Sequence, residues 1–195
     1  MEFDDAVKFH GHACPGLAIG YRVAKFVERE LGKRAGDEEL VAVVENNSCA
    51  VDAIQLICGC TFGKGNLIFK DFGKQVYTFW RRPDPDALRV AVKWTPPPED
   101  PETEAMWTRY AAGDRSPEVT AAVHERKARK IRSVLETDAT GLFAVKKVAM
   151  AVPETAVIFR SITCAGCGEK VMEPRTVKVA DRLVCIPCSR GESTI

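Results

Sequence analysis

His10-Gly11-His12-Ala13-Cys14-Pro15-Gly16 sets three metal-ligating residue types at every second position. An extended backbone alternates its side chains, so His10, His12 and Cys14 are expected on one side of a strip. Gly11 lets the chain bend there without steric cost. Pro15 suits the first turn of a helix. Beyond it, Leu17, Tyr21, Ala24, Val27 and Leu31 recur at three- and four-residue steps, which predicts a helix ending near Gly32. Cys14 would then stand at a helix N-terminus, where unpaired N–H groups and the helix dipole favour a thiolate.

The same reading extends along the chain. Residues 1–9 predict a short helix. Leu40 to Glu45 is apolar and valine-rich, a buried strand. Ser48 is a good cap for a helix over Cys49 to Cys58, and this places a second cysteine at a helix start. Gly59 to Asn66 is a glycine-rich loop that lacks the spacing of a phosphate cradle. Strands are expected at Leu67 to Lys70, Gln75 to Trp80, Leu88 to Trp94, Phe143 to Val152 and Ala156 to Phe159. Between them, Pro96-Pro97-Pro98 and Pro101 make a stiff spacer. A short helix should cover Glu102 to Ala112, and a longer one Ser116 to about Asp138. From Ser161 the composition changes. The expected division is a core over 1–160 and a module over 161–195.

That module carries the most specific pattern. Cys164-Ala165-Gly166-Cys167 and Cys185-Ile186-Pro187-Cys188 are two CxxC pairs with residues 168–184 between them. Two such pairs can offer four thiolates to one tetrahedral zinc ion, a closed structural site. The segment is too short to bury a core of its own, so metal would supply folding energy. A helix begun after the second pair would make it a treble clef; the competing reading is a redox pair. Lys170, Arg175, Lys178, Arg182 and Arg190 oppose Glu169, Glu173, Asp181 and Glu192, and the span has no aromatic residue. Both points argue against a nucleic-acid finger. A second basic run, Arg126 to Arg132, falls mid-helix and reads as a solvated face.

The whole chain has 195 residues, 46% of them hydrophobic, and a formal net charge of +1. No global field draws it to nucleic acid or anionic lipid. No apolar run is long enough for a membrane span, and the acidic start lacks a signal peptide's apolar region. Eight cysteines then suggest metal sites or reactive thiols in a cytoplasmic protein. In the His/Cys strip, His10, His12 and Cys14 could hold an ion that Cys49 or Cys60 completes. Alternatively the histidines only form hydrogen bonds near a helix end and the cysteines are small core residues.

Phe9-His10-Gly11-His12-Ala13-Cys14-Pro15-Gly16 with Gly20 resembles the opening signature of the FmdE family, named for the E component of formylmethanofuran dehydrogenase. Asp52-Ala53-Ile54-Gln55, Gly59 to Leu67 and Asp71-Phe72-Gly73-Lys74 are similar to its later signatures. The resemblance implies an α+β core of helices and a mainly antiparallel sheet, a homodimer, and a metal site at His12, Cys14 and Cys49 with Cys60 close by. Members can carry an added treble-clef zinc finger. The family name comes from association with a molybdenum or tungsten enzyme whose catalytic centre lies on its other components. Two functional readings follow. One is a metal-binding accessory protein that handles a metal or cofactor for an oxidoreductase. The other is a stand-alone enzyme using His10, His12, Cys14, Cys49 and Cys60 on a small molecule. In both, zinc occupies the C-terminal site and zinc or another transition metal the core site. His10 is expected to orient a ligand or touch substrate rather than bind the ion, leaving an open position.

Overall fold

The Glu2 backbone N–H donates to the Asp5 carboxylate at 2.8 Å and fixes the start of the first helix, α1 (Phe3–His10). Residues 1–192 are described by this computed structural model. They divide into two units, Met1–Thr155 and a second beginning at Ala156.

In the first unit, Cys14 caps α2 (Pro15–Leu31), with Pro15 at its first position and Gly32 just past its end at φ +86°. The helical spacing of Leu17, Val23, Ala24 and Val27 puts all four on the buried face. Next come β1 (Leu40–Val44), α3 (Ala50–Cys58), β2 (Leu67–Phe69), β3 (Val76–Arg81) and β4 (Asp86–Val92). Helices α4 (Pro101–Ala111), α5 (Pro117–Glu136) and α6 (Ala139–Leu142) then lead into β5 (Phe143–Ala149). The strands form one sheet in the order β2-β1-β3-β4-β5. Only β1 and β2 run parallel; the other neighbours are antiparallel. The expected α+β class, with a mainly antiparallel sheet, is therefore what the chain adopts.

Register decides where the core lies. Ala42 pairs with Phe79 and Val44 with Tyr77, so these side chains share a face with Leu40, Leu88 and Val90. Against that face pack Leu17, Val23, Ile54 and Ile57 from α2 and α3. Each such side chain contributes about 1.5–3 kcal/mol on burial. The opposite face buries a smaller group of Val43, Trp80 and Ala87. The chain after β5 ties onto this side: Trp80 Nε1 donates to Met150 O at 3.4 Å and Arg82 to Pro153 O at 2.6 Å. Glu45, on this same side, is buried and accepts from Arg89.

The second unit pairs β6 (Ser161–Thr163) with β7 (Lys170–Met172), and β8 (Thr176–Val179) with β9 (Arg182–Cys185). A tight turn at Ala180 and Asp181, both at positive φ, joins the second pair. Helix α7 (Ile186–Arg190) follows at once. This knuckle, hairpin and ligand-bearing helix give the treble-clef order. Cys164, Val184 and Cys185 are its small core.

One expected strand is absent. Ala156 to Phe159 takes no regular structure, although it is apolar. Ile158 is fully exposed and Val157 largely so. The segment pairs with none of the sheets among the described residues, and hydrophobicity without a ladder does not make a strand. Among the described residues no helix is long and apolar enough to cross a membrane.

Candidate functional site

His10, His12 and Cys14 converge, but not as an extended strip. His10 is the last residue of α1. Gly11 then takes the left-handed conformation, φ +94°, and its N–H caps the helix on Val7 O at 2.8 Å. This turn swings His12 back over His10, with ring centroids 4.6 Å apart. Cys14 follows in extended backbone as the α2 cap. One ligand atom from each of the three residues lies within 4.8 Å of the others. The helical register of Phe3, Ala6 and Val7 runs on through His10, and it wins over the alternation of the strip.

The electrostatics of the group are set from α3. His10 Nδ1 lies 2.7 Å from Asp52 Oδ2. An ionised carboxylate only accepts, so Nδ1 carries the proton and the Nε2 lone pair faces the centre. That Nε2 is 3.9 Å from Cys14 Sγ. Cys14 Sγ in turn accepts the Leu17 N–H at 3.3 Å, the helix-start contact expected of it. Cys14 is buried and His12 exposed, so the group has a protein side and a solvent side.

Cys49 occupies the cap position of α3, where Ser48 was expected. Ser48 is held instead by Asn46 Oδ1, which accepts from both its backbone N–H and its hydroxyl. The Cys49 thiol is near enough to the Cys14 thiol to interact with it electrostatically but stands outside the tighter group. Burial pushes it up from the ordinary thiol range, and the Cys14 thiol pushes it further; these outweigh the pull of its own backbone N–H. Its helix end therefore does not by itself make a thiolate there.

Cys60 is not brought to this group. It lies past the far end of α3 from Cys49, fully buried, and its thiol donates to Leu40 O at 3.4 Å. Burial raises it to about 12, so it stays a thiol. The glycine-rich loop is clamped by buried Asn66, whose side chain donates to Leu40 O and Gly59 O and accepts from Thr61 N–H. It is a structural turn. Asp52 is the site residue that sequence reasoning misses. Its position in the first turn of α3 is legible; its reach to His10 is not.

One thiol and two imidazoles form a borderline donor set that suits a transition-metal ion better than magnesium or calcium. The second unit offers a different set. The sulfurs of Cys164, Cys167, Cys185 and Cys188 all lie within 4.8 Å of one another. Backbone N–H groups converge on Cys164 Sγ, that of Cys185 at 3.1 Å and that of Gly166 at 3.3 Å. Such donors, with that of Cys167 the strongest, lower the Cys164 thiol to about 6. Crowding by the Cys185 thiol raises Cys188 to about 12. Four gathered sulfurs, one of them met by converging backbone N–H donors, fit a structural zinc ion.

The family model described as "FmdE, Molybdenum formylmethanofuran dehydrogenase operon" matches residues 9–144. The chain belongs to the FmdE family. A second model, "Prokaryotic dksA/traR C4-type zinc finger", matches residues 158–192 and so covers the four-cysteine cluster. An Archaeoglobus fulgidus protein named "Probable S-adenosyl-L-methionine-binding protein" is 31% identical over 195 aligned residues, 94% of this chain and 51% of that protein. The chain thus spans about half the length of that curated relative. The crystal structure of a "tungsten formylmethanofuran dehydrogenase subunit e (fmde)-like protein" from Syntrophus aciditrophicus superposes with a TM-score of 0.63. The match covers 100% of this chain and 96% of that one at 21% identity, a likeness of fold.

Proposed function

We propose that this FmdE-family chain binds a transition metal through His10, His12 and Cys14 and serves an oxidoreductase related to formylmethanofuran dehydrogenase as an accessory, metal- or cofactor-handling protein. The observation that carries the reading is the convergence of those three ligand atoms, with Asp52 holding His10 in the tautomer that ligation needs. Cys49, whose thiol interacts with that of Cys14, is the adjacent sulfur through which an ion can be received or passed on. His10 is assigned here as a ligand, since its Nε2 faces the centre. The finger's four cysteines hold a structural zinc. The core assembles as a two-fold homodimer, the commonest symmetry of soluble oligomers, in the cytoplasm.

A second reading, a stand-alone enzyme acting on a small molecule, draws on the solvent side left open at His12 and on the name of the Archaeoglobus relative. Metal analysis of protein purified without oxygen tests the common premise. Wild type should hold one ion beyond the finger's zinc, and Cys14→Ser should lose it. Unchanged metal content in that variant would end both readings. Transfer to a competing apo-protein then separates them: a carrier gives its ion up readily, whereas an enzyme keeps it.

A further inference from the structure

The basic run on α5 does more than face solvent. Together with α4 it encloses a cavity of about 300 Å³ lined by Pro15, Trp107, Tyr110, His124, Arg126 and Lys127, with Lys130 at its wall. Pro15 follows Cys14 in the chain, so the cavity abuts the His/Cys group while containing none of its ligands. We infer that this cavity binds a small, planar, anionic ring compound of nucleoside-monophosphate size, held beside the metal centre.

Charge, shape and size each point to that class. Arg126 and Lys130 share one carboxylate, Glu99, at 2.9 and 2.7 Å. Lys127 is half-buried and has no ion-pair partner among the described residues. Three cations thus meet one carboxylate, and a cavity wall with more cations than carboxylates is matched by an anionic ligand group. The rings of Trp107 and Tyr110 lie 5.9 Å apart at an interplanar angle of 20°. The Arg126 guanidinium sits 4.5 Å above the Trp107 ring and orients it. Yet α4 buries none of its residues, and Trp107 is 40% exposed. The Arg115 guanidinium lies over Tyr110 at 3.8 Å, so Trp107, held in place yet exposed, is the ring that offers surface for a ligand ring to stack on. The volume is at the lower end of the roughly 300–1,000 Å³ of small-molecule sites, enough for one ring system and one anionic group.

The inference deepens the metal-centre reading by naming the class of ligand presented to it, and the two can fail separately. The full chain is titrated by calorimetry with AMP, GMP, adenosine and inorganic phosphate, and tryptophan fluorescence is followed in parallel. AMP or GMP should bind with a Kd below about 1 mM, with adenosine and phosphate at least about tenfold weaker. Lys127→Met should weaken the nucleotide about tenfold. Trp107→Phe should remove the fluorescence response while calorimetry still reports binding. In Cys14→Ser the nucleotide affinity should be unchanged, whether or not that variant has lost an ion. Equal binding of nucleotide and phosphate, or no effect of Lys127→Met, would overturn the assignment. So would loss of nucleotide binding together with the metal in Cys14→Ser, because the ion rather than the cavity would then be the receptor.

Discussion

Asp52 Oδ2 and His10 Nδ1 meet at 2.7 Å across two helices, joining the first turn of α3 to the last residue of α1. The contact fixes both the tautomer and the ring plane of His10. Asp52→Asn can still accept through its amide oxygen, but it loses the charge that makes the imidazole a stronger donor. Core-site metal affinity should fall about 10–100-fold, the usual cost of losing such a partner. Competition against a chromophoric chelator measures it. Wild-type affinity in the variant would show that Asp52 serves only the fold.

Gly20 sits where α2 crosses α3. A Cβ placed there would stand 2.1 Å from Ala50 O and 2.5 Å from Ala50 Cα, both backbone atoms. No rotamer change relieves that contact, so the helices must separate. Gly20→Ala should cost about 3 kcal/mol or more, the upper range for overpacking. Gly63→Ala, where nothing lies within 4 Å, is the control and should change stability little. Chemical denaturation of both variants checks this. Because α2 and α3 carry Cys14 and Cys49 at their starts, Gly20→Ala should also loosen the His/Cys group.

The elements of the core are legible in the sequence because their signals are local. The α2 spacing, the Cys14–Pro15 start and Gly32 define one helix from sequence alone, and Leu40 to Glu45 reads as a strand on valine content, one residue longer than the strand that forms. The four finger cysteines carry their own geometry in the CxxC spacing. What stays hidden depends on distant chain. Asp52 is 42 residues from His10. Cys60 looks like a ligand by residue type, and only the packing beneath Leu40 shows it facing inward. Lys127 reads as surface until α4 is folded against it.

Glu45 is the buried acid on the sheet face away from the helices, and Arg89 is its ion-pair partner. Arg89→Met leaves that carboxylate without its cation. A buried pair broken on one side costs about 3–5 kcal/mol. Arg89 is about a third exposed, and water can reach the vacated side, so about 2–3 kcal/mol is expected. Glu45→Leu combined with Arg89→Met should recover most of this, since two apolar groups need no partner. Denaturant midpoints of the two variants decide the point; an equally unstable double variant would show that packing, not charge, is what Arg89 supplies.

The finger gives the sharpest contrast between metal and fold. Its buried apolar core among the described residues is Val184 beside two of the cysteines, far less than the first unit buries. So small a cluster does not offset the conformational entropy of ordering some thirty residues, and a zinc ion on the four cysteines is expected to supply the difference. Removing one ligand by Cys185→Ser, or stripping the ion with a strong chelator, should therefore make residues beyond Ala156 protease-sensitive. The first unit has its own core and should keep its cooperative melt. Adding zinc back should restore protection in the stripped wild type but not in Cys185→Ser. A segment that stays protected without zinc would mean that the hairpins and α7 hold together by packing alone, and the four sulfurs would then be available for redox chemistry instead.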